Sequence, residues 1–432
     1  MASTRRSDPT PLLQRAAQAL QSGDLVAAER ACRNALKAAP NHPGGLHLLG
    51  LTARRAGHLE TALDLFRKAV AAAPRYPEAL VNLGRLLLDL GKPAEAQDAF
   101  EQALTARHGF LPAELGLAAA MRAAGDLDSA RSALEVSATT HPEAAAPCTD
   151  LGNVLQEQGE FTAAVLAYTD SLERQPGQNG VLSNRAAALL KLGEAERALA
   201  DADAYLATGQ RSANIVAYRI LALQTLGRPA EAREWSDPET MVYPHRPDAP
   251  EGFAAAIEAD VRAHPTLTEQ WDPQRRAARG GAVTADLMSH PTPAIESFVR
   301  LVRGGVDALI ARLPDKAGHP FFGTKPDTYN LTLWGNILAP GGRQASHIHN
   351  LGWLSGVYYP SVPDAITDSG QQGWIAFGVP GYGLPSPPDF QPVFRKPEAG
   401  MMFLFPSYMW HHTVPLETGA KRISIAFDVM PA

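Results

Sequence analysis

The chain has 432 residues, 45% of them hydrophobic and 19% charged, with a formal charge of -6 at pH 7. That length holds about three conventional domains, or fewer when part of it is a repeat array. The composition excludes a wholly disordered chain and a coiled coil, and an acidic balance without Lys/Arg blocks excludes a phosphate-backbone reader, so no nucleic-acid partner is expected.

The first residues, Met1 to Pro9, carry charge with no apolar run behind them, and no later stretch approaches about 18 uninterrupted apolar residues. The expectation is a chain that is neither secreted nor membrane-spanning and has no membrane partner. The two cysteines, Cys32 and Cys148, fall in different repeats. They leave no disulfide framework and no Cys-based zinc site, read as small packing residues, and fit a reducing, cytoplasmic location.

Seven glycines, Gly23, Gly57, Gly91, Gly125, Gly159, Gly193 and Gly227, stand 34 residues apart, and five residues after each comes an alanine, from Ala28 to Ala232. Prolines at 40, 74, 142 and 176 close units, and Leu49-Gly50, Leu83-Gly84 and Leu151-Gly152 mark first helices. The physics is a left-handed glycine turn between two antiparallel helices, a small residue where they touch, and a proline to stop the second. This pattern resembles the tetratricopeptide repeat and covers residues 9–235, about seven repeats. Such a solenoid presents a groove that suits an extended peptide or a protein tail. Arg54, Arg85 and Asn153 are its candidate contacts, weighed against ordinary solvated helix faces. The five histidines before residue 235 (His42, His47, His58, His108, His141) read most simply as solvated.

Residues 236–250 are a Pro-rich connector. Glu251 to Ala263 and Pro293 to Leu313 have apolar residues at helical spacing, including Ile295, Phe298, Val302, Val306 and Leu309. Beyond Pro320 the pattern becomes short strands: Tyr329–Leu338, Leu351–Tyr359, Gly373–Phe377, Met401–Phe405, Trp410–Leu416 and Arg422–Val429. The expected class is α+β multidomain: an α-solenoid, then a domain over 251–432 with buttressing helices at 251–313 and a jelly-roll (double-stranded β-helix) core at 325–430.

His347 and His349 are two apart at the mouth of a strand, so their side chains project from one face and both imidazoles reach one metal ion. His411 and His412 are neighbours, and alternation lets only one of them face the same interior. Arg422 and Ser424 share a face within an otherwise apolar strand, where a guanidinium needs a buried anion and suits a carboxylate.

His347-Ile-His349-Asn350, Leu354-Ser-Gly-Val-Tyr358-Tyr359, Gly400-Met-Met-Phe-Leu-Phe405-Pro406, His412-Thr-Val-Pro415 and Arg422-Ile-Ser424 together resemble the Fe(II)- and 2-oxoglutarate-dependent oxygenases. The nearer likeness is to the bacterial family with His-x-His and Leu-Ser-Gly-Val-Tyr-Tyr, and the more distant one is to prolyl hydroxylases. The resemblance implies His347, His349 and His412 as the metal and catalytic set, with His411 the less favoured distal ligand. It implies Arg422, Ser424 and Tyr359 as the anchor for the far carboxylate of 2-oxoglutarate. It also implies Fe(II), O2 and 2-oxoglutarate as participants, ascorbate as a candidate accessory reductant, and hydroxylation of a C–H coupled to succinate formation. The usual third ligand is Asp or Glu; here His349 stands in that place, either as a third imidazole or turned aside. Trp334, Asn336 and Trp353 are candidate pocket residues or core. The expected function is hydroxylation of a peptide or protein side chain recruited by the repeats. The competing readings are a repeat scaffold with an inactive jelly roll, and a three-histidine dioxygenase needing no cosubstrate.

Overall fold

The structure is a computed structural model that describes residues 8–270, 277–387, 390–417 and 421–432. It separates into two compact units, residues 1–181 and 182–432, and the division falls inside the repeats.

The first unit is built of helix pairs: α1 (Thr10–Gln21), α2 (Leu25–Ala38), α3 (Pro43–Arg55), α4 (Leu59–Ala72), α5 (Pro77–Asp89), α6 (Pro93–Ala106), α7 (Leu111–Ala123), α8 (Leu127–Thr140), α9 (Ala146–Glu157) and α10 (Phe161–Arg174). The seven periodic glycines have φ between +69° and +86°, the left-handed conformation that turns one helix into the next. Helix starts are set locally: Asp24 and Asp126 accept from the backbone N–H groups of Ala27 and Ser129. The Leu-Gly positions leave room for aromatic rings. A Cβ on Gly84 or on Gly116 would meet the Phe100 ring at 2.6 and 2.2 Å, so the fully buried Phe100 lies against both glycines.

His47 departs from the solvated reading. It is 7% exposed; its Nε2 accepts from Asn82 Nδ2 at 2.8 Å, which leaves Nδ1–H to donate to the Tyr76 hydroxyl at 3.0 Å. Burial lowers its pKa to about 4, against a weaker opposing pull from Glu78. The unfolded chain therefore takes up a proton near pH 6.5 that the folded repeat refuses. The stability contribution is complete above 6.5 and is lost as pH falls toward 4, a change of about 3 kcal/mol. Urea midpoints at pH 7 and pH 4 should show this fall, and His47→Gln should flatten it. Cys32 and Cys148 are free and buried, and burial pushes the Cys32 thiol up to about 11, consistent with packing residues. Of the groove candidates, Arg54 pairs with Asp89 at 2.7 Å, Asn153 Oδ1 accepts from the Tyr168 hydroxyl, and Arg85 is exposed.

Helix α11 (Asn179–Lys191) crosses the division, and α12 (Ala195–Ala207), α13 (Ala213–Thr225) and α14 (Pro229–Trp235) belong to the second unit. The free carbonyls ending α14 find donors in the segment beyond it. His319 Nε2–H donates to Glu234 O at 2.8 Å, its Nδ1 being occupied as acceptor for the N–H groups of Phe321 and Phe322. The Tyr408 hydroxyl donates to Trp235 O at 2.7 Å. These bonds satisfy groups that a helix terminus leaves open.

The rest of this unit holds β1 (Tyr243–His245), α15 (Phe253–Ala263), β2 (Ala278–Val283), α16 (Pro293–Arg312), β3 (Tyr329–Gln344), β4 (Leu354–Tyr359), β5 (Ile375–Phe377), β6 (Val393–Arg395), β7 (Met401–Pro406), β8 (His411–Thr413) and β9 (Arg422–Pro431). They form two antiparallel sheets, ordered β1-β7-β4-β9-β3-β2 and β6-β5-β8. Both expected helices form. The stretch read as a connector supplies edge strand β1, where Pro244 lacks only an outward N–H. β2 and β6 were not expected, and β3 runs six residues past Leu338.

One face of the larger sheet packs on the helices. Phe427 and Tyr358 meet Phe298 of α16, and a Cβ on Gly335 would strike Val261 of α15. By alternation, Trp334, Asn336 and Leu338 of β3 and Arg422, Ser424, Ala426 and Asp428 of β9 point the other way. They face one another in register as Trp334↔Ala426, Asn336↔Ser424 and Leu338↔Arg422.

Candidate metal centre

The inward face carries the candidate site. His347 and His411 form a bridge between chain segments, each N–H donating to the other's carbonyl at 3.1 Å, so their side chains lie on one face. With His349 they make a cluster whose ligand atoms all lie within 4.8 Å of one another. His347 and His349 are thus brought together as expected. The third ring beside them is His411; His412, the expected distal ligand, is not part of the cluster. In β8 neighbours alternate: Phe377 pairs with His411 and Ala376 with His412, so His411 turns in, 4% exposed, and His412 turns to the other face.

Each ring of the cluster is oriented from behind. His347 Nδ1–H donates to Ala345 O at 2.8 Å, and His411 Nδ1–H to Met409 O at 3.0 Å. His349 Nδ1–H donates to the Asp428 carboxylate at 2.5 Å. A neutral ring with its proton on Nδ1 presents Nε2 as a bare lone pair, and the Nε2 atoms of His347 and His349 stand 3.1 Å apart. Two lone pairs cannot hydrogen-bond each other. Nitrogens about 2.1 Å from a shared ion at a right angle are about 3 Å apart, so the donor set fits a cation. Burial first, and the neighbouring imidazoles next, hold the His347 pKa at about 3 and that of His411 well below its usual value, so neither ring carries a proton on Nε2 at neutral pH.

Beyond the histidines the same pocket is lined by Trp334, Tyr359, Ile375, Phe405, Thr413, Arg422 and Ser424. Arg422 is 4% exposed. It donates to Thr413 Oγ1 at 3.2 Å and to the Tyr359 hydroxyl at 3.1 Å, its Nε has no partner, and it pairs with no carboxylate among the described residues. A buried guanidinium with only neutral acceptors lacks the anion that would offset its desolvation. Burial raises the Tyr359 pKa, with Arg422 opposing, so the phenol stays neutral and able to donate. Asn336 is also buried, with an unpartnered Nδ2. Trp353 lies elsewhere: it stacks on Phe321 and donates to its carbonyl.

Residues 332–428 match the family described as "Putative 2OG-Fe(II) oxygenase", where 2OG is 2-oxoglutarate. Residues 53–99, 87–147, 149–214 and 217–238 match tetratricopeptide repeats. The chain joins a tetratricopeptide array to a 2OG-Fe(II) oxygenase-family segment. It is 34% identical over 113 residues to Protein FlbA of Caulobacter vibrioides, covering 26% of this chain and 19% of that protein, so it spans about a fifth of that relative's length. Among solved structures, a tetratricopeptide repeat protein from Parabacteroides merdae ATCC 43184 is 18% identical, covering 52% of this chain and 89% of its own, at a TM-score of 0.43. Pseudomonas aeruginosa pilF is 17% identical, covering 46% and 91%, at a TM-score of 0.42.

Two further residues of the oxygenase-family segment belong to the site and were missed in the sequence. Thr413 lies two after His411 on the same strand face. Asp428 continues the inward series from Arg422 and Ser424, and a carboxylate in that alternation was the available signal. No helix among the described residues is long and apolar enough to cross a membrane.

Proposed function

We propose that the protein is an Fe(II)- and 2-oxoglutarate-dependent oxygenase that hydroxylates a peptide or protein side chain recruited by its repeats. The observation that carries this is a single pocket holding three imidazoles whose ring nitrogens converge and a buried guanidinium without an anion. In this reading the two sheets are the halves of a double-stranded β-helix. His347, His349 and His411 hold the metal, and Arg422, Thr413, Ser424 and Tyr359 hold the far carboxylate of the cosubstrate. The metal supplies oxygen activation coupled to decarboxylation of the 2-oxo acid.

The chain's own work is placement. Arg422 presents a planar fork to a carboxylate, Tyr359 adds a hydroxyl, and Ile375, Phe405 and Trp334 keep water out. The space enclosed among these groups is about 20 Å³, enough for about one water. Tetratricopeptide repeats are protein-interaction modules, which supports a macromolecular substrate, and two buried free thiols suit a reducing cytoplasm.

Anaerobic addition of Fe(II) and 2-oxoglutarate is expected to produce a visible charge-transfer absorption, and admission of O2 should give succinate. Metal binding without either signal would favour the cosubstrate-free dioxygenase, and no metal binding at all would favour the scaffold.

A further inference from the structure

Sites built from two histidines and one carboxylate hold Fe(II) with a ligand that also contributes a negative charge. Here that ligand position is a neutral ring, His349. Behind it stands Asp428, whose Oδ1 takes the His349 Nδ1–H at 2.5 Å and the Ser355 Oγ–H at 2.7 Å. Ser355 Oγ is itself within 2.8 Å of Ser407 Oγ, and Ser355 and Ser407 are fully buried. The carboxylate side chain is 16% exposed and the imidazole 8%. No Lys or Arg pairs with Asp428 among the described residues. The carboxylate's partners are thus one imidazole and one hydroxyl, and the converging ring nitrogens of His347, His349 and His411 mark where a cation would stand.

We propose that Asp428 is the site's displaced third carboxylate, a positioning residue that acts on the metal through His349. This inference rests on the metal-centre reading above. The hydrogen bond fixes the tautomer that turns Nε2 inward, raises the ring's basicity, and brings one negative charge to the metal from the far side of the ring. His349 then ligates instead of turning aside, because the carboxylate that would be the ligand elsewhere is occupied in holding it.

The test is equilibrium binding of Mn(II), and of Co(II) by its absorption, to the full chain without cosubstrate. Asp428→Asn, which keeps size and an acceptor oxygen, is expected to weaken metal binding about 10- to 100-fold. His349→Asp puts a second carboxylate beside Asp428 and is expected to bind metal more weakly than the unaltered chain. Combining His349→Asp with Asp428→Asn moves the charge back to the ligand position and is expected to recover binding to within about tenfold of the unaltered chain. A role confined to folding would make the double change the worst of the three, and thermal melts of each variant read the fold separately.

Metal affinity within twofold of the unaltered chain for Asp428→Asn, or a double variant no better than His349→Asp, overturns the inference alone. Absence of Mn(II) and Co(II) binding by the unaltered chain overturns the metal-centre reading and takes this inference with it.

Discussion

Replacing His411 by Ala is expected to abolish metal-dependent turnover, while replacing its neighbour His412 by Ala leaves metal affinity within about threefold. The contrast follows from strand alternation. His411 is buried against His347, with ring centroids 4.3 Å apart, and its Nδ1 is tied to Met409 O. His412 lies across the strand, outside the pocket lining, with a buried Nδ1 that has no partner. Changes behind a metal ligand alone cost 10- to 100-fold, so loss of a ligating ring should cost more than about 100-fold in Mn(II) affinity. His347→Ala should behave like His411→Ala. Activity in His411→Ala together with inactivity in His412→Ala would return the distal position to His412.

Arg422→Met is expected to raise the KM for 2-oxoglutarate by about 10²- to 10⁴-fold, with a much smaller effect on kcat at saturating cosubstrate. Two charge-assisted hydrogen bonds at about 1.5–3 kcal/mol each set that range. Arg422→Lys keeps the charge but not the planar fork, and should recover only part of the loss. The same Met substitution should leave the ligand-free chain as stable or raise its melting temperature, because a buried guanidinium lacking an anion is exchanged for an apolar side chain of similar length. A rise in KM with a large fall in melting temperature would mean that Arg422 serves the fold more than the ligand. Titrating 2-oxoglutarate into the Mn(II)-loaded variants separates affinity from chemistry.

The array was legible because a 34-residue period needs no long-range information: one glycine per turn and one alanine per contact repeat wherever two helices must cross closely. Helix α16 was legible for a related reason, its apolar stripe recurring over five turns. The edge strands β1 and β6 have three residues each, too short to set up an alternation, and β2 carries Gly280 and Gly281 at a bulge against β3. The choice between His411 and His412 required the parity of a strand. That parity is set by the pairing of Phe377 with His411, a contact 34 residues away in sequence. His47 looked solvated because its partners, Tyr76 and Asn82, come from the next repeat. Asp428 was hidden by its apolar neighbours, although its place in the even-numbered series from Arg422 was visible. Arg422 itself was legible since a lone cation inside an apolar strand calls for an anion wherever the strand lies.

The bonds from His319 and Tyr408 to the last carbonyls of α14 bear on where this protein can be cut. Alongside them, α13 and α14 line a cavity of about 810 Å³ with Phe390, Tyr408 and Trp410. A gene fragment opening at residue 236 would strip that wall and turn aromatic rings toward water, inviting the product to self-associate. One opening near Leu182 keeps the seal, so the piece able to stand apart from the remaining repeats is the sheets together with the last two helix pairs.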